Sequence, residues 1–315
     1  MRGSVVTVVG GTGFIGRHVV QHLCDAGAQV RILCRQPDRA IVLRPLGEVG
    51  QVAPLPLIAD DDGSLGAGLA GSDAVVNLVG ILYERRPGDF QRAHAELPGR
   101  IARLAPKQAR IVHISAIGAD KDSPSLYAST KAMGEEAVRR ERSDAVILRP
   151  SVVFGPDDQF LNRFARMAVL SPFLPAVGGG QTKFQPVYVR DVAAAVCRAL
   201  TLPEAAGRTY ELGGPQVLTF RQILEWLLQV LGRHRKILNI PFNVADMQAR
   251  FLQKLPSPLL TRDQVVLLRS DNVVSKHALG LRDLGIDPNP MPAVAPPFLQ
   301  PYVRIQPKVI PDASS

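Results

Sequence analysis

Cysteine is nearly missing from this chain of 315 residues. Its three thiols, Cys24, Cys34 and Cys197, lie far apart and include no Cys-x-x-Cys pair. That excludes a disulfide framework and a thiolate zinc site, and it fits a reducing compartment. Aromatic residues amount to 5%, too few for the stacking platforms of single-strand binders, and no helix-turn-helix or zinc-finger spacing occurs. No nucleic acid partner is therefore expected. Long apolar runs are missing too. Val5–Val9 is short and meets glycine at once, so it reads as neither a signal peptide nor a membrane span, and the chain is expected to be cytoplasmic, soluble or peripherally membrane-bound. Without an internal repeat or heptad register, solenoids and coiled coils are set aside. His18 and His22 stand four apart with no acidic third ligand; they read as a packed or solvated pair, and no metal is expected.

What is present is basic and, in its first half, regular. The formal net charge of +9 favours anionic partners such as phosphates, acidic proteins or anionic lipid surfaces. Up to Pro150, short β-branched runs at Val5–Val9, 29–33, 53–58, 74–78, 110–115 and 145–148 alternate with amphipathic stretches at Phe14–Asp25, 90–104 and 127–140. This alternation predicts an α/β fold, a Rossmann-type doubly wound parallel sheet with a small C-terminal α/β lobe. Three segments are expected: a dinucleotide-binding unit over 1–155, a smaller lobe over 156–287 on the sheet's C-terminal edge, and a proline-rich extended tail over 288–315.

Past Pro150 the pattern loosens. Residues 171–185 carry Pro172, Pro175 and Gly178-Gly179-Gly180, which predicts a mobile loop on the substrate side. Pro186 to Val189 reads as a strand, Asp191 as the cap of a helix through Leu200, and 220–231 as a further helix. Residues 242–260 mix Met247, Phe251, Leu252 and Leu255 with Arg250 and Lys254; they either lie on a membrane or partner surface or cover the small lobe. His113 reads as a core residue and Trp226 as helix packing. Eight prolines from Pro288 to Pro311 argue against regular structure in the tail.

The chemistry starts at Val9-Gly10-Gly11-Thr12-Gly13-Phe14-Ile15-Gly16, where a hydrophobic strand turns into a helix. Gly10 permits the tight turn, Gly13 lets backbone approach a pyrophosphate, and Gly16 lets helix pack on strand. A diphosphate would rest on the helix N-terminus, beside Thr12, Phe14 and Ile15. Where NAD-preferring folds end the second strand in an acid, this chain reads Leu33-Cys34-Arg35. A guanidinium suits a 2′-phosphate, so NADPH is favoured over NADH, with Arg31 and Arg39 as nearby competitors for that place. Asp60, in the run Asp60-Asp61-Asp62, either accepts from the adenine amino group or is a solvated turn residue. Leu78, Val79 and Gly80 either pass the cofactor's ribose or simply end a strand.

Tyr127 and Lys131 fall at i and i+4, on one helix face after the fifth strand, and Ser115 ends that strand. A cationic lysine is expected to lower the phenol's pKa toward working pH so that Tyr127 can exchange a proton, while Ser115 holds the substrate oxygen.

These residues, together with Leu148-Arg149-Pro150-Ser151-Val152-Val153-Phe154-Gly155-Pro156, resemble the short-chain dehydrogenase/reductase superfamily in its extended and atypical branches. The resemblance implies that Pro150, Val152 and Val153 border the nicotinamide and that Ser115, Tyr127 and Lys131 form the catalytic set. Asn77-Leu78-Val79-Gly80, His113-Ile114-Ser115, Lys131–Glu135, Phe154–Asn162 and Gln185–Ala193 are similar to the subgroup holding the nucleotide-binding accessory subunit of respiratory complex I and its bacterial relatives. That implies tightly held NADPH, complex I subunits as partners, peripheral membrane contact, and a place on the cytoplasmic face of a bacterial inner membrane. Mitochondrial members of the subgroup are regarded as catalytically silent, yet Ser115, Tyr127 and Lys131 are all kept here. Tyr and Lys also grip ribose hydroxyls, so whether the chain is an enzyme stays open. The alternatives are an NADPH-dependent reductase of a carbonyl or quinone-related substrate and, less favoured by a basic chain, a nucleotide-sugar epimerase/dehydratase.

Overall fold

The computed structural model describes residues 1–304 apart from Ala59, Pro256 and Ser257. Its centre is a seven-stranded, wholly parallel sheet. The strands are β1 (Val5–Val9), β2 (Gln29–Cys34), β3 (Val52–Pro56), β4 (Ala74–Asn77), β5 (Arg110–Ile114), β6 (Val146–Pro150) and β7 (Thr209–Leu212), in the spatial order β7-β6-β5-β4-β1-β2-β3. The order reverses beside β1, which opens a crevice at the C-terminal ends of β1 and β4, where such folds bind ligands.

Helices cover both faces. α1 (Phe14–Asp25) lies on one side; α2 (Asp62–Leu69), α3 (Leu97–Leu104) and α4 (Leu126–Glu141) lie on the other. Side chains alternate along each strand, so Val6, Val8 and Ile32 join one buried cluster while Val9, Leu33 and Val75 join a second with Leu65, Ile101 and Val138. Burial of each such aliphatic side chain contributes about 1.5–3 kcal/mol. A π-helical turn over Gln91–Glu96 precedes α3, so the single helix expected over 90–104 is wound in two ways.

After β6 the chain builds α5 (Leu161–Leu170) and then returns to the large sheet, which α6 (Val189–Thr201) covers and β7 extends. α7 (Phe220–Val230), started by a capping box between Thr219 and Gln222, packs with α5 in a third cluster. α8 (Phe242–Leu252) and α9 (Arg262–Leu267) complete the smaller lobe, with Ala245 and Ala249 buried against Val177 and Val265.

Three expectations are corrected. Residues 171–185 are not a loop throughout: Phe173–Val177 is a strand paired in parallel with Lys236–Ile240, and its Leu174 and Ala176 are buried. Pro175 survives there because the pair is two-stranded and leaves an edge. Asp191 does not cap a helix, since α6 already starts at Val189; its carboxylate instead accepts from the Asn289 amide (2.8 Å) and Nδ2 (2.6 Å). The tail is not an extended arm over its described part. Helical turns at Met291–Val294 and Pro296–Leu299 bury Met291, Ala295 and Leu299 in the third cluster. Their prolines occupy the first two helical positions, where a missing N–H costs nothing. Residues 305–315, with Pro307 and Pro311, lie outside the described residues.

Candidate functional site

The glycine loop has the geometry its sequence implies. Gly10 adopts φ 87°, and a Cβ there would stand 3.2 Å from the Leu78 carbonyl carbon and Val79 nitrogen. At Gly16 a Cβ would fall 2.6 Å from the Gly10 carbonyl oxygen and the Gly11 backbone. Gly13 begins α1 with no side-chain cap, and the first turn holds no acid. The leading amides of α1 are thus free to hold an anion.

Around this loop the ends of five strands converge. Leu78 N donates to Val9 O at 2.9 Å, which brings Leu78, Val79 and Gly80 against Gly10. A Cβ on Gly80 would lie 3.3 Å from Lys131 Nζ, so this glycine leaves room for the ammonium. Arg35 follows β2 as an exposed side chain with no ion pair among the described residues. Arg31 is engaged elsewhere, donating to Ala70 O at 2.6 Å. Asp60 is an exposed turn residue before Asp61, whose carboxylate caps α2 through Gly63 N and Ser64 N. Asp60 makes no hydrogen bond or ion pair with another site residue among the described residues.

Ser115 extends the β5–β6 ladder through its amide to Leu148 O, and its Oγ is buried without a hydrogen-bond partner. Lys131 is 3% exposed and donates to Ile114 O at 3.2 Å. Burial lowers its pKa to about 8, against an opposing pull from Glu135. Tyr127 lies on the same helix, with Lys131 Nζ 6.0 Å from its ring centroid. The expected activation of the phenol by lysine is not found: burial, and then the Asp263 carboxylate, push Tyr127 up to about 12. The ammonium turns to a carbonyl and cannot offset the loss of water around the phenol. In this arrangement Tyr127 is a hydrogen-bond donor at neutral pH and not a phenolate.

Two histidines complete the site. His94, on the π-helical turn, is fully buried; its Nε2 accepts from Ile81 N at 3.0 Å and its Nδ1 faces Thr130 Oγ1 at 3.2 Å. Thr130 Oγ1 gives its own hydrogen to Leu126 O at 2.6 Å, so the His94 proton sits on Nδ1. Burial and the Lys131 charge lower its pKa to about 3. The His94 ring stacks on Phe90 (5.1 Å) and meets Tyr127 edge-on (5.3 Å). His113 pairs with Asn77 Nδ2 at 3.0 Å; its Nε2 is buried and unpartnered, and burial holds its pKa well below the usual imidazole range. It is a core residue by burial and a site residue by position. His22 Nδ1 meets His18 O at 3.0 Å, a bond along α1.

The C-terminal lobe supplies two more groups that sequence reasoning missed. Asp263 of α9 accepts from Ser125 Oγ (2.9 Å), Leu126 N (2.6 Å) and Tyr127 N (3.3 Å), capping the helix that carries Tyr127 and Lys131. Asn272 Oδ1 accepts from Ser151 Oγ (2.7 Å) and Val152 N (3.1 Å), while its Nδ2 donates to Ile117 O (3.3 Å). It thereby ties the turn after β5 to the Pro150–Val153 segment. The capping box Thr261-x-x-Gln264 makes α9 legible, but nothing local shows what Asp263 caps.

These residues fit a dinucleotide on two counts: the N-terminus of α1 is uncapped, and Ser115 Oγ is a buried orphan just past the C-terminal end of β5. When bound, a nicotinamide would supply hydride chemistry at the end of β5.

Comparison with known proteins gives the chain its family and its fold relatives. Residues 6–213 match the NAD dependent epimerase/dehydratase family. The chain is 36% identical over 314 residues to the NADH dehydrogenase [ubiquinone] 1 alpha subcomplex subunit 9, mitochondrial, of Arabidopsis thaliana, covering 95% of this chain and 78% of that protein. It is 28% identical to a ceramide reductase of Caulobacter vibrioides, covering 76% of this chain and 74% of the other. Among solved structures, DesIV, a dTDP-glucose 4,6-dehydratase from Streptomyces venezuelae, superposes with TM-score 0.73 at 20% identity, covering 95% of this chain and 96% of that one.

Proposed function

The chain belongs to the NAD dependent epimerase/dehydratase family, and from that premise we propose that it is an NADPH-holding accessory protein of the respiratory complex I type. In this reading Gly10, Thr12, Gly13, Phe14, Ile15 and Gly16 cradle the pyrophosphate and Arg35 takes the 2′-phosphate. Leu78, Val79 and Gly80 flank the ribose, whose hydroxyls Tyr127 and Lys131 grip, while Pro150, Val152 and Val153 border the nicotinamide. The observation that carries it is the uncapped N-terminus of α1 behind a loop in which Gly10 and Gly16 leave no room for a Cβ, with Arg35 making no ion pair among the described residues at the end of β2. Identity over nearly the whole chain supports complex I subunits as partners. No described helix is long and apolar enough to cross a membrane, and contact with the cytoplasmic face of an inner membrane would be peripheral.

A protonated Tyr127 near pKa 12 favours retention over turnover. A second reading, an NADPH-dependent reductase in which Ser115 holds a carbonyl oxygen and Tyr127 gives it a proton, is favoured by the orphaned Ser115 Oγ and by the similarity to a ceramide reductase. Calorimetric titration tests the first reading. NADPH is expected to bind more tightly than NADH, and Arg35→Glu to reverse that order by weakening NADPH about tenfold or more. No heat with either nucleotide would end the cofactor reading. Steady NADPH oxidation with a carbonyl or quinone acceptor, lost in Tyr127→Phe, would replace the accessory role with the reductase.

A further inference from the structure

The proposed function leaves unused a cleft of about 550 Å³ between the segment following β4 and the α8–α9 pair. Its apolar walls include Phe90, Leu126 and Val266. Three carboxylates also line it, and each is already engaged. Glu84 accepts from Phe90 N at 2.9 Å, Asp246 is shared by Arg250 and Arg262, and Asp263 is spent on the N-terminus of α4. Arg262 is balanced by Asp246. Arg85 and Arg86 are exposed and make no ion pair among the described residues. Their backbone is fixed, because both amides donate to Asp89 Oδ2, at 3.0 and 2.8 Å.

The lining exposes apolar surface at Leu126, and α8 exposes more on a face outside the lining. Leu126 is 57% exposed, and α8, which gives Asp246 to one wall, turns Met247 and Phe251 outward at 57% and 70% exposure. Met247 and Phe251 are four residues apart and so share a face. Two adjacent arginines without an ion pair in the lining of a partly apolar cleft suit an oxyanion attached to a hydrocarbon.

We propose that this cleft binds an amphiphile, with a phosphate or carboxylate head on Arg85 and Arg86 and an apolar chain along Phe90, Leu126 and Val266. The ligand lies beside the cofactor site, since the Phe90 ring packs edge-on against Tyr127 at 6.0 Å. The inference rests on the proposed function only for naming that neighbour as a cofactor site; the cleft itself does not depend on it.

The full chain is titrated with dodecyl phosphate below its micellar concentration, and in parallel with dodecyl maltoside, inorganic phosphate and NADPH. Dodecyl phosphate is expected to bind about tenfold or more tightly than the uncharged detergent or the bare anion, and Arg85→Ala/Arg86→Ala to abolish that margin while leaving NADPH binding unchanged. Both side chains are exposed and unpaired, so the variant keeps its fold. Sedimentation with phosphatidylcholine vesicles, alone or mixed with phosphatidylglycerol, then identifies the source. Retention on the acidic vesicles only, lost in the double variant, marks a membrane lipid headgroup, whereas dodecyl phosphate binding without vesicle retention marks a soluble amphiphile. Equal affinity for the maltoside, or a double variant that binds dodecyl phosphate as the parent does, would overturn the proposal. Failure of NADPH alone to bind would remove the cofactor reading and leave the cleft standing.

Discussion

Gly134→Ala is a single methyl group placed against backbone. A Cβ at Gly134 would sit 1.8 Å from the His94 carbonyl oxygen and 3.0 Å from its carbon. Ordinary contact begins near 3.4 Å, so the π-helical turn and α4 must separate by roughly 1.5 Å. Neither can rotate away, since the atom met is main chain and the turn is held by His94 to Ile81 N and Thr130. Overpacking of this kind costs about 1–3 kcal/mol, and a clash with backbone falls at the upper end. The site pays a second cost. Lys131 lies one helical turn before Gly134, with its Nζ fitted between Ile114 O and Gly80, and displacement of about 1 Å in such a group weakens its contacts severely. Gly134→Ala is therefore expected to lower the unfolding free energy by about 3 kcal/mol in urea titration and to weaken NADPH binding about tenfold or more. Gly66→Ala in α2 is the control, because nothing lies within 4 Å of a Cβ there. If Gly134→Ala matched that control in both stability and affinity, the close approach of α4 to the π-helical turn would be refuted.

Two further outcomes follow from the same helix. His94 is neutral when folded, with its pKa lowered from 6.5 to about 3 by burial and Lys131. The unfolded chain therefore binds more protons between those values, and stability, full above pH 6.5, is lost as pH falls toward 3, by on the order of 4 kcal/mol. His94→Gln, which keeps a donor and an acceptor but no titrating proton, is expected to flatten this acid limb in chemical denaturation at stepped pH; parallel limbs would remove His94 as its cause. Asp263→Ala deprives the N-terminus of α4 of its carboxylate and is expected to cost about 1–2 kcal/mol by thermal melting, whereas a melting point equal to the parent's would show that Ser125 alone suffices as the cap.

Legibility in the sequence followed the range of the interactions. The β1–glycine–α1 unit was readable because turn, strand and helix signals are contiguous, and the first helix falls on Phe14–Asp25 as its spacing predicts. Tyr127 and Lys131 were readable because four residues are one helical turn. What stayed hidden depends on distant pairings: Asp263 reaches its amides across about 137 positions and Asn272 reaches Ile117 across 155. His94 left no signal at all, since its inward position needs a π-helical turn that no periodicity of 3.6 announces. The prolines of the tail misled for a different reason. Proline forbids a helix interior but starts helices well, and each turn there carries it within its first two positions.

The phenol was misjudged because a charge's effect depends on where its carrier points. Spacing put Lys131 near Tyr127, but it could not show that Nζ turns to Ile114 O or that Asp263 stands at the other end of the same turn. Both partners consequently shift against the intuitive direction: the amine falls to about 8 and the phenol rises to about 12. Between these values neither group carries charge, and below about 8 only the lysine does. A site held this way, clamped by Asp263 and Asn272 before any ligand arrives, has little reorganisation left to undergo on binding. Its buried orphans, Ser115 Oγ and His113 Nε2, are two residues apart at the C-terminal end of β5, and burial without a partner costs each its desolvation. On the proposed reading, preorganisation of this kind would slow the release of a cofactor that satisfies them.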